Sequence, residues 1–174
     1  MTAEELQRAF AAELGEAIGP LVPAKDPFIV VRADRIRELC SFAKASPELA
    51  FDFLEDLTAT DHPKEQLIRL VYHLYSYKHR HSCVLKVDLP RRDPRVATVE
   101  PIWKAANWLE REVFDLFGVT FEGHTDLRRV LLPEDWQGHP LRKDYMEHGG
   151  WHSISNVRDN PLEMYLQLDR KGKS

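Results

Sequence analysis

Phosphate-cradling glycine loops are missing from this chain: neither G-x-G-x-x-G nor G-x-x-x-x-G-K-[ST] occurs, which disfavours direct NADH or ATP binding. Thiols are nearly as scarce. Cys40 and Cys83 are the two cysteines, outside any C-x-x-C and without a neighbouring histidine at ligand spacing, so they read as small buried hydrophobes. A disulfide would need an oxidising compartment that nothing in the sequence points to. Long apolar runs are also lacking. F-I-V-V at residues 28–31 is far shorter than the roughly 20 residues that span a bilayer, and T-A-E-E-L-Q-R-A-F has no signal-peptide form. The chain is expected to stay in the cytoplasm or to reach a membrane through partners. Positive charge is not in excess either: 24 Lys and Arg stand against 28 Asp and Glu, and the bases are scattered among acids. That excludes the electrostatic footprint of a nucleic-acid binder.

What is present is a globular balance, 43% hydrophobic and 30% charged over 174 residues, enough for one domain with a sizeable core. T-A-E-E at residues 2–5 matches a capping box, and Leu6, Phe10, Leu14 and Ile18 follow at i+4, predicting a helix stopped by Gly19-Pro20. Residues 28–31 predict a buried strand. Asp34 is then placed to cap a helix with Ile36, Leu39, Cys40 and Ala43 on its apolar face, ended by Ser46-Pro47. Residues 49–60, 67–77 and 83–89 read as extended. In the last of these Cys83, Leu85, Val87 and Leu89 alternate with Lys86 and Asp88, the period of a half-buried strand. After a polar turn at residues 90–94, residues 96–102 predict one more strand and residues 104–117 a helix, with Gly118 as its left-handed cap. The class is α+β: a mostly antiparallel sheet packed with helices, as one domain over residues 1–145, followed by an extended tail over 146–174.

Charge and aromatics are densest in N-W-L-E-R-E-V-F-D-L-F-G (107–118) and in G-H-P-L-R-K-D-Y (138–145), and Trp103, Trp108, Trp136 and Trp151 all lie in this half of the chain. At 100° per residue, Ala105, Trp108, Leu109, Val113, Leu116 and Phe117 form one apolar arc. Glu112 falls inside it, so its carboxylate is expected to find a basic partner among Arg128, Arg129, Arg142 and Lys143. Asn107, Glu110 and Arg111 fall outside the arc, and Asp115 lies at its Trp108 edge, four residues after Arg111.

The ordered run from Trp108 to Tyr145 closely resembles the 30 kDa subunit family of proton-pumping NADH:quinone oxidoreductase, respiratory complex I, and L-E-D-L-T-A-T-D (54–61) resembles it more weakly. One departure is Thr125, where the family usually has proline after Gly-His. The resemblance implies a peripheral-arm subunit on the cytoplasmic side of the membrane that binds no cofactor itself. It would scaffold the quinone-reducing module by packing against the large quinone-site subunit and near the subunit that holds the terminal iron-sulfur cluster. FMN, iron-sulfur clusters, NADH and quinone would belong to the whole translocase. The family motif carries over onto Trp108, Glu110, Arg111, Glu112, Asp115, Gly118, Arg128, Arg129, Trp136, His139, Pro140, Arg142, Lys143, Asp144 and Tyr145, as docking and folding residues. Glu110, Arg111, Glu112 and Asp115 would fix the helix, while Arg128, Arg129, Arg142, Lys143 and Asp144 would form ion pairs orienting the loop or a partner.

Three alternatives remain open. Relatives occur in membrane-bound hydrogenases and plastoquinone-reducing complexes, so the electron donor is not specified. A stand-alone metal enzyme would draw on His79, His81, His124, His139, His148 and His152, without a third ligand marked by spacing. A general acid/base enzyme would use Asp115, Glu112 or His139 and would need a cleft. The tail, with Trp151, Met164, Tyr165 and Leu166 spaced through polar sequence, fits a segment that orders on a partner or a frayed end equally well.

Overall fold

In the computed structural model, which describes residues 1–147, 149–152, 154 and 155, helix α1 (Ala3–Leu14) opens with the expected capping box. Glu5 N donates to Thr2 Oγ1 at 3.3 Å and Thr2 N to Glu5 Oε2 at 2.8 Å. Leu6, Phe10 and Leu14 are buried, but the helix stops before Gly19-Pro20 because Gly15 takes a positive φ of 59° directly after Leu14. Ile18, Gly19 and Pro20 belong instead to β1 (Ile18–Val22), an edge strand where proline removes no ladder bond that the sheet needs.

β1 pairs antiparallel with β2 (Phe28–Val31), which runs parallel to β5 (His81–Pro90). β3 (Phe53–His62), β4 (Leu67–Ser76) and β5 form an antiparallel meander, giving the order β1-β2-β5-β4-β3. The alternation seen in sequence sets the inner face. Ile68, Leu70, Tyr72 and Leu74 on β4 and Cys83, Leu85, Val87 and Leu89 on β5 are buried together, with Cys40 and Cys83 as free thiols whose burial pushes Cys83 up to about 12. The class is the expected α+β with a mostly antiparallel sheet.

Three local expectations shift. α2 (Ile36–Ala45) begins after a 3-10 turn at Ala33–Arg35, and Asp34 pairs with Arg32 at 2.8 Å instead of capping. The extended segment expected from residue 49 starts at Phe53, after a turn in which Ala50 has φ 44° while Leu49 and Phe51 enter the core. The strand expected over residues 96–102 shrinks to β6 (Arg95–Ala97), which pairs parallel with β7 (Thr120–Glu122). Its continuation turns so that Trp103 can enter the core and donate its Nε1 to Phe51 O at 3.1 Å.

α3 (Ala106–Phe117) is present but rotated relative to the apolar arc. Ala106, Glu110, Arg111, Val113, Asp115 and Phe117 are buried, whereas Trp108 is 62% exposed and Glu112 lies in open solvent, which removes its expected basic partner. The physical reason is that the segment before α3 satisfies residue 110, and the chain after it returns over the same polar side to satisfy residues 111 and 115. β8 (Gly150–Trp151) and β9 (Ile154–Ser155) form a short hairpin. Met164, Tyr165 and Leu166 lie outside the described residues. Among the described residues no helix is long and apolar enough to cross a membrane.

Candidate functional site

Each buried polar residue of α3 binds a different stretch of chain. Glu110 accepts from Thr98 Oγ1 at 2.5 Å and Val99 N at 2.7 Å, tying α3 to the segment after β6. Thr98 Oγ1 also accepts Glu100 N at 3.0 Å. Glu100 in turn binds Thr125 through its amide at 3.0 Å and its hydroxyl at 2.8 Å, and accepts from Asn107 Nδ2 at 3.2 Å. The Thr125 amide bond leads in holding the Glu100 carboxyl down to about 2 against the cost of burial. Proline at this position would remove that amide donor, so the departure from the family pattern has a local use here.

Arg111 Nε and Nη2 donate to the carbonyls of Arg128 (3.2 Å) and Arg129 (3.3 Å), while its guanidinium stacks 4.8 Å from the Trp108 ring. One turn later Asp115 takes the same strand of chain by its amides. Its Oδ2 accepts from Val130 N (3.1 Å), Leu131 N (2.8 Å) and Leu132 N (2.9 Å), and its Oδ1 from Arg129 Nη1 (2.6 Å). Burial alone would raise the Asp115 carboxyl, but the amides of Leu132, Leu131 and Val130 together with Arg129 outweigh it and hold it below 3.8.

The G-H-P-L-R-K-D-Y loop acts on the end of the same helix. An α-helix leaves its last four carbonyls without internal partners, and here the loop supplies them. His139 Nδ1 donates to Asp115 O (2.9 Å), Leu141 N to Leu116 O (3.1 Å) and Arg142 Nε to Phe117 O (2.7 Å), while Gly118 N closes on Phe114 O (2.9 Å). Arg129 and Arg142 also place positive charge at the negative end of the helix dipole. Gly118 has φ 74°, and a Cβ there would lie 2.5 Å from His139 Nε2, so glycine is required twice over. Burial lowers the His139 ring, with Arg142 and Arg129 adding to it against the bond to Asp115 O.

Two residues outside the motif complete the anchorage. Asp61, on β3, accepts from Arg91 Nε (2.7 Å) and Lys143 N (2.7 Å), and Arg91 also reaches Asp144 at 2.5 Å. The Arg91 bond leads in holding the Asp61 carboxyl low, against burial. Asp61 lies in the weakly matching L-E-D-L-T-A-T-D stretch, but Arg91 sits in an ordinary-looking polar turn, and only the fold brings it to Asp144.

The carried-over residues therefore fall into distinct places. Glu110, Arg111, Asp115, Arg129, His139 and Arg142 converge on α3. Lys143 contributes its backbone amide, Asp144 its carboxylate, and Arg128 pairs with Asp126 (3.0 Å) near the surface. Trp136 offers its carbonyl to Arg129 Nη2 (3.0 Å), Pro140 is half-buried, and the Tyr145 ring lies where a Cβ on Gly138 would meet it at 3.0 Å. Glu112 and Trp108 point outward.

Among the described residues, the side chains the alternatives would draw on are engaged in local hydrogen bonds or face outward. His79 Nε2 and His81 Nε2 bond the carbonyls of Pro47 and Leu49 at 2.9 Å each, and no group of three or more His, Cys, Asp or Glu is arranged to hold a metal among the described residues. His148 lies outside them. Asp115 spends its carboxylate on the loop, Glu112 is remote on the outer face, and His139 is turned onto a carbonyl.

Comparison with known proteins gives a consistent result. A family model described as "Respiratory-chain NADH dehydrogenase, 30 Kd subunit" matches residues 29–149. An NADH-quinone oxidoreductase subunit of Moorella thermoacetica is 46% identical over 142 residues, covering 82% of this chain and 91% of that protein. The corresponding subunit of Roseiflexus castenholzii is 46% identical over 120 residues, 68% of this chain and 69% of its own. Among solved structures, a trypsin-resistant fragment of Nqo5 is 32% identical with a TM-score of 0.60, over 73% of this chain and 100% of the fragment. A chain of the membrane-bound sulfane sulfur reductase, an archaeal respiratory membrane complex, is 31% identical with a TM-score of 0.69, over 82% of this chain and 85% of that one.

Proposed function

The chain belongs to the 30 Kd subunit family of respiratory-chain NADH dehydrogenase, and from that premise we propose that it is a structural subunit of an NADH:quinone oxidoreductase, scaffolding the quinone-reducing module by docking to the quinone-site subunit and the terminal iron-sulfur subunit. In this reading FMN, the iron-sulfur clusters, NADH and quinone are held by other chains, and the protein reaches the cytoplasmic face of the membrane through them. The carrying observation is the use of the motif's polar groups. Glu110, Arg111 and Asp115 bond the chain segments around α3, and the helix C-terminus is closed by the 138–145 loop, so their hydrogen-bonding capacity is spent on shape. The same fastening holds large apolar side chains in water. Trp108 is 62% exposed beside Arg111, and Leu131 is 61% exposed on a backbone pinned by Asp115. Exposed apolar groups on a preorganised backbone suit a protein interface, because little ordering remains to be done on binding.

The test is recovery of the tagged chain from gently solubilised membranes of its own host, with identification of co-purifying chains and assay of NADH:quinone activity. A large redox assembly containing the quinone-site and terminal iron-sulfur subunits supports the reading; a chain that comes off alone and turns over a small substrate overturns it. The resemblance to the sulfane sulfur reductase chain favours a second reading, in which the same scaffold serves a complex with another electron donor or acceptor, as in membrane-bound hydrogenases or plastoquinone-reducing complexes. The identities of the co-purifying chains and a hydrogenase assay on the same eluate separate the two.

A further inference from the structure

Three arginines serve the loop that closes α3, and their guanidinium groups are provided for unequally. Arg129 reaches the Asp115 carboxylate and the carbonyls of Asp115, Trp136 and Gly138. Arg91 grips two carboxylates, Asp61 through Nε and Nη2 and Asp144 through Nη1 and Nη2. Arg142 spends Nε on Phe117 O at 2.7 Å and brings Nη1 only to the long limit of a hydrogen bond, 3.5 Å from Arg91 O. Among the described residues its Nη2 has no partner, and no carboxylate stands within ion-pair distance of its guanidinium.

The two acids nearby do not make up the difference, because Arg91 covers both oxygens of Asp61 and both of Asp144. Burial and the neighbouring Arg91 charge hold the Arg142 guanidinium below its usual value, against the weaker pull of Asp61 and Asp144. The group is also held in place. Arg142 N donates to His139 O and Tyr145 N to Arg142 O, each at 3.1 Å, and Leu141 N donates to Leu116 O. The side chain lines an open hollow of about 470 Å³ together with Gln137, Gly138, His139 and Tyr145, and Met146 beside them is 82% exposed.

We propose that this hollow is a socket for a carboxylate side chain of another chain in the assembly, an aspartate or glutamate that pairs with the Nη1 and Nη2 edge of Arg142. A planar guanidinium matches a carboxylate bidentately, and one whose Nε is already anchored loses little freedom in doing so. The surroundings suit a protein partner: the hollow is open, and Tyr145, Met146 and the exposed Leu141 bring aromatic and apolar contact around the charge. Asp144 offers little opposition, since both its oxygens face Arg91. The proposal rests on the scaffold reading above and adds to it the place and the charge of one contact.

The experiment recovers the tagged full-length chain from gently solubilised membranes of its own host as wild type, Met146→Glu and Met146→Lys, with co-purifying chains quantified against the tag. Met146 is exposed, so the purified variants should unfold within about 2 °C of wild type. Met146→Glu sets a like charge beside the incoming carboxylate and should cut the co-purifying chains about 10-fold or more, whereas Met146→Lys should keep them within about 2-fold of wild type or raise them. A photo-reactive benzophenone amino acid at position 146 should cross-link to a segment of another chain that carries Asp or Glu. Equal loss with both charges, loss with neither, or a cross-link only within this chain overturns the proposal. Should a charge variant melt lower than wild type, the cross-link decides. Wild type that co-purifies with nothing overturns the scaffold reading and the socket together, while wild type that assembles beside variants indifferent to the sign of charge overturns the socket alone.

Discussion

Replacing Asp115 by alanine tests whether one carboxylate fastens the 129–132 segment to α3. The side chain is fully enclosed and accepts from Arg129 Nη1 and from three successive amides at 2.8–3.1 Å. Breaking a buried pair by removing one member costs about 3–5 kcal/mol, because the other member is left uncompensated. The Arg129 side chain is 16% exposed and keeps carbonyl partners at Trp136 and Gly138, and Leu131 already faces water, so part of the loss is recovered as the segment lifts and its amides hydrate. The expected loss is therefore about 3 kcal/mol, the lower end, which for a chain of this size lowers Tm by roughly 6–12 °C. The assay is thermal and urea unfolding of the full-length chain, with hydrogen exchange at Val130, Leu131 and Leu132. Because the Asp115 carboxyl is held below 3.8, its contribution is present above that value and lost as pH falls through the folded one, so the difference between wild type and variant should be constant at neutral pH and shrink in acid. A Tm within about 2 °C of wild type, with unchanged exchange at those amides, would show that the carboxylate is not what fastens the segment.

Gly118→Ala should cost about 2–4 kcal/mol by chemical denaturation, combining left-handed backbone strain with displacement of His139, and should loosen the 138–145 loop in hydrogen exchange. Thr125→Pro removes both the amide that leads in holding Glu100 low and the hydroxyl that supports it, so the Glu100 carboxyl should titrate above its value of about 2 and the chain should lose roughly 1–3 kcal/mol; an unmoved Glu100 titration would show that the Thr125 bonds are not what holds it down. Arg142→Ala uncaps Phe117 O and should lower the yield of assembled complex more than turnover per assembled complex, measured as activity normalised to subunit content.

Reading the chain in one dimension succeeds where one residue's neighbours are its sequence neighbours. The Thr2–Glu5 box, the alternation along β5 and the left-handed cap at Gly118 are local devices, set by a backbone period or a φ requirement, and each is present in the fold. Family membership was legible for a related reason, since the ordered run from Trp108 to Tyr145 is a property of the string itself. The orientation of α3 was not legible. A helical wheel assigns burial by apolarity and so turns Trp108 inward, and Glu110 outward; the loops over the opposite side come from residues 98–100 and 124–145, whose approach depends on the whole β-meander and crossover.

Likewise Asp61 is marked only by a weak match and Arg91 by nothing local, yet β3 and the turn after β5 bring them to Lys143 and Asp144 across 82 and 53 positions of sequence respectively. The α+β class, the inward face of the sheet and the kinship of the motif followed from the residue string, because periodicity and residue order are one-dimensional quantities. Which carboxylates are fastened by amides and guanidinium groups and which side of α3 faces water depended on the folded arrangement, because solvation and hydrogen-bond partners exist only once distant segments meet.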